Sequence, residues 1–218
     1  MHDFREQLKP RGRVEIFVTQ GAPPLVLGQR CPGYASLPVY TSCDVDFSKT
    51  PIVEVIKIEN ILVNDGKDKV IESLVSGAIN VIARMAMGDR GTIPLDPTVP
   101  KSPVATMSAL FNEVYRADID AVVLNVGTPT VHEALFVKTF SAVDVPITSF
   151  SNQAVPVINE VGLITADLIS LPLPRPPVAA PAAPPADEKL FSIRTFKSVP
   201  FESANQIAVT IRYTVFVE

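Results

Sequence analysis

The sequence predicts a mostly β protein of the α+β kind: an antiparallel β sandwich-like core with one or two short helices, then a proline-rich linker and a C-terminal β-hairpin arm. Three observations carry this expectation. Short runs of β-branched and apolar residues, each bounded by turn residues, recur from Arg13 to Leu168, and strands at such spacing build sandwiches or antiparallel sheets. Pro172–Ala186 holds seven prolines and five alanines in fifteen residues, which favours a stiff polyproline II spacer reaching roughly 45 Å. Finally, Ile207, Val209, Ile211, Tyr213, Val215 and Val217 alternate with Ala208, Thr210, Arg212 and Thr214, the period of a strand with two unlike faces.

The elements follow in order. Arg13–Thr19 is a short strand, with turns at Gly21–Pro24 and Pro32-Gly33. Ile52–Val63 is the strongest strand of this half, because Ile52, Val53, Val55, Ile56, Ile58 and Ile61 suit a pleated, half-buried surface better than a helix. Asn64-Asp65-Gly66 reads as a turn. Lys67–Gly77 reads as a helix, with Val70, Ile71, Leu74 and Val75 on one side and Gly77 to stop it. A strand then places Val81, Ala83, Met85 and Met87 on one face and Ile82 and Arg84 on the other, ending at Gly88-Asp89-Arg90-Gly91. Thr92–Pro103 carries Pro94, Pro97, Pro100 and Pro103 and is expected to run as an extended loop. Ala105–Tyr115 is either a helix or a strand. Ala121–Val126, Glu133–Phe140 and Val157–Leu168 complete the first set of strands.

These boundaries give a β-rich core over 1–171, a Pro/Ala-rich linker over 172–188 and a C-terminal arm over 189–218 made of strands at Leu190–Lys197 and Gln206–Val217. A lone hairpin is marginal in water, so the arm must dock. It either folds back on its own domain or adds to the exposed sheet edge of a neighbour, where main-chain hydrogen bonds supply affinity. Its apolar positions Ile207, Val209, Ile211, Tyr213, Val215 and Phe196 are therefore candidate interface residues, as are Glu113, Arg116 and Glu160, which can form a charge-assisted fork between adjacent elements or an ordinary surface pair of little worth.

Composition narrows the function. Apolar residues make up 47% of the chain and charged residues 19%, below the roughly 25% of an average soluble domain, which favours an obligate homo-oligomer; the 21 prolines and the Ala-rich stretch also raise the apolar count. The net charge is −4, and basic residues are scattered, so a phosphate-binding groove is not expected and no nucleic-acid partner is assigned. Asn80 and Arg84 interrupt the best apolar run, far short of the roughly 20 residues of a membrane span. MHDFREQLKPRGR lacks the apolar stretch of a secretory signal, and the expectation is a protein that stays where it is made.

Signs of chemistry are sparse. Cys31 and Cys43 have no CxxC spacing and no His pair beside them, which signals neither a zinc site nor a disulfide framework. His2 and His132 are the two histidines, and no G-x-S-x-G elbow supports a nucleophilic triad with His132 or a Cys43/His132 pair. Asp118 and Asp120, two apart on a strand, either share a face suited to a cation or an acid/base pair, or mark a solvated strand end. Gly88-Asp89-Arg90-Gly91 lacks the lysine and the glycine spacing of a phosphate loop and reads as a turn. No catalytic residue, cofactor or metal is assigned.

One further pattern is the order of its segments. Ile58-Glu59-Asn60-Ile61-Leu62-Val63-Asn64-Asp65-Gly66, a helix, a strand ending in Met85-Ala86-Met87-Gly88-Asp89, a proline-bearing loop, Leu110-Phe111-Asn112-Glu113-Val114-Tyr115-Arg116 and Asn159-Glu160-Val161-Gly162-Leu163 follow one another. This progression, over about residues 52–168, resembles the N-terminal attachment region of bacteriophage tail-fibre, tail-collar and baseplate-associated proteins. It departs from that pattern at Gly88-Asp89-Arg90-Gly91, where the family has Gly-Asp-Gly, and no fibrous shaft follows. The resemblance implies a virion structural protein of the tail, baseplate or neck, made in the host cytoplasm and assembling with other virion proteins as an adaptor or fibre-attachment subunit. A receptor- or glycan-binding module is the alternative, and the lack of Trp with only four Tyr supplies it poorly with aromatic platforms.

Overall fold

The computed structural model describes residues 10–32, 37–59, 61–69, 80–128, 131–167, 174–180, 182–183 and 185–217. Two six-stranded, largely antiparallel sheets dominate it. In chain order the strands are β1 (Pro10–Gln20), β2 (Leu25–Leu27), β3 (Val39–Tyr40), β4 (Cys43–Val45), β5 (Ile52–Glu59), β6 (Ile61–Leu62), β7 (Asn80–Gly88), β8 (Thr92–Ile93), β9 (Asp96–Pro100), β10 (Glu113–Asp118), β11 (Ala121–Thr128), β12 (Val131–Ser141), β13 (Val157–Asp167), β14 (Val178–Ala179), β15 (Lys189–Pro200) and β16 (Ile207–Val217). The first sheet has the order β3-β11-β12-β16-β1-β5 and the second β14-β10-β7-β13-β15-β6. This is the mostly β, sandwich-like architecture expected from the sequence. No described helix is long and apolar enough to cross a membrane.

Alternation decides what each sheet buries. Val14, Ile16 and Val18 of β1, Met85 and Met87 of β7, Val161 and Leu163 of β13, and Val209, Ile211 and Tyr213 of β16 meet in one core between the sheets. At about 25 cal/mol per Å² of apolar area removed from water, such inward rows are the main favourable term in folding. The outer face of the second sheet carries another apolar layer, in which Val63, Ala86, Leu110, Ile164, Leu190 and Ile193 pack together beneath the chain around Met107.

The C-terminal strands differ from the expected arm. β15 and β16 do not pair with each other: β15 lies between β13 and β6 in the second sheet, and β16 lies between β1 and β12 in the first. β16 pairs along its length with β1, from Pro10 opposite Val217 to Gln20 opposite Ile207. Phe196, Val209, Ile211 and Tyr213 are therefore core residues of this chain, with Ile207 and Val215 packed against them. Both edges of β16 are occupied from within, so the strand offers no free edge to a neighbour.

The proline-rich stretch is likewise not a free spacer among its described residues. Val178 and Ala179 form β14, which pairs with Tyr115 and Arg116 of β10, and Arg175 and Glu188 are buried. Polyproline composition fixes the backbone locally but leaves its carbonyls available, and here Arg84 and Ser149 hydrogen-bond the carbonyls of Pro176 and Ala180 at 2.7 and 2.9 Å.

Two further expectations are corrected. Residues 64–69 are helical rather than a turn, begun by the Lys67 N–H to Val63 C=O bond at 3.2 Å; the rest of the predicted Lys67–Gly77 helix lies outside the described residues. The proline-bearing loop after Gly91 contains a hairpin, β8–β9, with Thr92 opposite Pro100 and Ile93 opposite Asp96. A peripheral two-stranded ribbon needs few ladder donors, so prolines do not prevent it.

Candidate functional site: a junction of three motifs beneath an apolar hairpin

Three of the four segments quoted for the resemblance, far apart in sequence, meet at one end of the second sheet, while Ile58–Gly66 lies outside that junction. β7 delivers Gly88-Asp89-Arg90-Gly91, β13 delivers Asn159-Glu160, and the loop entering β10 delivers Phe111-Asn112-Glu113. Glu160 lies directly opposite Gly88 in the β13–β7 ladder. Its fully buried carboxylate accepts the backbone N–H groups of Phe111 at 2.7 Å, Asn112 at 2.8 Å and Arg90 at 3.3 Å. Burial holds this carboxyl above the usual carboxylate range, while the three N–H donors pull the other way.

Asn112 donates from Nδ2 to Asp89 Oδ1 at 2.7 Å, and Asp89 Oδ2 accepts the Ser151 N–H at 2.6 Å. Asn159 accepts the Gly91 N–H at Oδ1 and donates from Nδ2 to the Asp89 carbonyl at 3.2 Å and to Thr92 and Ser198 hydroxyls at 3.1 and 3.0 Å. Glycine is required where the strands converge: a Cβ on Gly88 would sit 2.3 Å from the Asn112 carbonyl oxygen, and one on Gly91 would sit 2.3 Å from that of Asn159. The Asp89 and Glu160 carboxylates and the Asn159 amide all bind protein, and their geometry fixes loops.

The junction holds the β8–β9 hairpin out into solvent. The Lys101 N–H bonds the Gly91 carbonyl at 2.7 Å and closes the hairpin base, and Lys101 Nζ stands 4.6 Å from the Phe111 ring centre. Leu95, at the tip, is 98% exposed, and Ile93 and Val99 are exposed beside it. Together Ile93, Leu95 and Val99 give the hairpin an exposed apolar surface.

No family model, curated protein or solved structure matches this chain.

A second cluster lies farther along the same outer face. Glu188 is fully buried and accepts Arg84 Nη1 at 2.9 Å, Arg175 Nη1 at 3.0 Å and Arg116 Nη1 at 2.7 Å. Asp118, opposite Arg84 in the ladder, stands 3.0 Å from Arg84 Nε, and Asp187 stands 2.9 Å from Arg175. Burial alone would raise the Glu188 carboxyl, but the three guanidiniums overcome this and hold it below the usual range. The cluster ties the proline-rich strap to β7 and β10.

The expected residues divide between these sites. Arg116 does form a bidentate fork with Glu113, at 2.8 and 2.6 Å, whereas Glu160 is drawn into the junction instead of pairing with Arg116. Asp118 and Asp120 part company, since Asp120 accepts Lys138 Nζ at 2.6 Å and the Thr139 N–H at 2.7 Å. Among the described residues no group of three or more His, Cys, Asp or Glu is placed to hold a metal ion. Cys43 is buried, and burial raises its thiol pKa; the His132 side chain lies outside what is described. Sequence reading missed Asp89, Asn112 and Asn159 as partners, placed Arg84 on a strand face without a partner, and missed Arg175 and Glu188 altogether. Their signal was present: an arginine inside the apolar run of β7, and a charge at each end of the proline stretch.

Proposed function

We propose that this chain is a bacteriophage virion structural protein of the tail, baseplate or neck, an adaptor or fibre-attachment subunit that assembles with copies of itself and with other virion proteins. The observation that carries this reading is the meeting of three of the four resembling segments in one hydrogen-bonded junction whose product is a braced apolar hairpin. The Glu160 carboxylate and the Asn159 side chain hold loop backbone, which suits an attachment device better than a reaction centre, and the reading assigns no catalytic step and no nucleic-acid or membrane partner. The edge strand β5 adds support for sheet-mediated contacts: Ile52, Val53 and Val55 are exposed on it, broken up by Glu54, Lys57 and Glu59, as a controlled rather than aggregation-prone edge would be.

Immunogold labelling of intact particles produced from the genome that encodes this chain tests the reading. Gold concentrated at the tail, baseplate or neck is the expected result. Particles that carry none of the chain would overturn it.

A further inference from the structure

The two large sheets have four edges, and three of them end in a strand of two residues. β3 closes the first sheet beside β11, and β14 and β6 close the second beside β10 and β15. A very short edge strand denies a foreign strand its ladder. The fourth edge is different. β5 runs for eight residues, Ile52–Glu59, and among the described residues no strand pairs with it on the side away from β1. Its alternate residues point N–H and C=O groups away from β1, a row of open donors and acceptors that another strand matches in full.

The side chains suit a copy of the same strand. Ile56 and Ile58 turn inward against the core, whereas Val53, Val55, Lys57 and Glu59 turn outward. Val55 lies opposite Phe17 of β1, and Phe17 packs on Phe47 with ring centres 4.9 Å apart, so the exposed valine continues an apolar row. Charge does not hold an image of the strand away, because Lys57 is paired with Glu15 at 3.1 Å and Glu54 with Lys197, both within the chain. Two copies related by a two-fold axis perpendicular to the sheet set residues of the same face opposite one another. Glu54 or Lys57 on that axis would oppose like charges, which destabilises a ladder. Ile56 on the axis would set Val55 opposite Lys57 and Val53 opposite Glu59. With Val55 on the axis, Val55 faces its own image, Ile52 faces Ile58, and Val53 faces the aliphatic stem of Lys57.

We infer that two copies of this chain join through β5, antiparallel and with Val55 facing Val55, so that their first sheets merge into one continuous sheet. This rests on the assembly reading above and names a second copy as the first partner. Ile52–Ile58 of each strand pair, with about six to eight main-chain hydrogen bonds across the axis. Such a contact uses the same edge on both copies, so it closes at two chains.

The full chain and its Val55 variants test this, with mass read by light scattering and folding by circular dichroism. The unaltered chain is expected at twice 23.5 kDa. Val55→Lys and Val55→Glu alter an exposed side chain on an edge strand, so each folds. Each sets like charges face to face on the axis, weakens pairing by at least about thirtyfold and leaves single chains at concentrations where the unaltered protein is paired. Mixed in equal amounts, the two variants set opposite charges across the axis, and the pair returns. An oligomer whose mass neither variant changes overturns the inference, as do variants that stay single when mixed and an unaltered chain that is single at every concentration. Should the Val55 variants not fold, Val53→Lys, which opposes Lys57 of the second copy, decides by the same mass. The virion reading falls separately: a chain that pairs through β5 yet is absent from particles sinks that reading alone, and one that labels particles but never pairs sinks the inference alone.

Discussion

Glu160 accepts a hydrogen bond at 2.8 Å from the backbone N–H of Asn112, 48 residues earlier in the chain. This contact joins two sequence motifs, and a third, through the Arg90 N–H, shares the same carboxylate. Replacing Glu160 by Ala leaves three backbone donors without their acceptor. A buried unsatisfied group costs roughly 1–3 kcal/mol, and these donors are only part-buried, so a loss of about 1–3 kcal/mol in all is expected, a fall of roughly 2–12 °C in the midpoint of thermal unfolding for a chain of this size. Calorimetry checks it, and a shift under about 2 °C would mean that water or rearranged loops replace the carboxylate.

Gly88→Ala tests the same junction from its backbone side. The added methyl would fall 2.3 Å from the Asn112 carbonyl oxygen and 2.4 Å from Glu160 Oε1, so the loop entering β10 must move. Overpacking of this kind costs typically 1–3 kcal/mol. Urea unfolding should show a lower midpoint with an unchanged slope.

Acid should loosen the strap. Glu188 has its folded pKa held below its unfolded value, so its contribution to stability is fully present above the ordinary glutamate pKa and is lost as pH falls through the folded value. Glu188→Gln removes this titration: the variant is less stable at pH 7, because Arg84, Arg116 and Arg175 lose a buried counter-charge, and its stability declines less steeply in acid below about pH 4. Urea midpoints measured between pH 7 and pH 3 for both proteins give the comparison.

Ending the chain after Glu188 should abolish the fold. β15 and β16 are interior strands of the two sheets, and Val14 and Tyr213, fully buried, face each other across the β1–β16 ladder. Circular dichroism and limited proteolysis of the truncated chain should report an unfolded, rapidly cut polypeptide. A cooperatively unfolding, protease-resistant fragment would show that 189–218 is dispensable.

Local pattern made the strands legible. Met85 and Met87 on one face of β7, the alternation of β16 and the β-branched run of β5 each identified a strand before its partners were known. Pairing was not legible, because alternation states that a face is buried and not which strand lies beside it. So the apolar face of β16 read equally as an arm seeking a neighbour and as a central strand. Composition also misled at Pro172–Ala186: the prolines fix a local conformation, while the fate of the segment is decided by Glu188, whose partners Arg116 and Arg84 lie 72 and 104 residues away in the chain. The junction was legible in part. Its motifs stood out in order, but that Glu160 serves the Phe111 and Asn112 backbone instead of Arg116 depends on a loop path that no spacing rule specifies.

The most direct test of assembly as this chain's work is its mass in solution, measured by light scattering over a wide range of concentration. A defined mass that is a multiple of the 23.5 kDa chain is the predicted result. A constant 23.5 kDa at every concentration would contradict it.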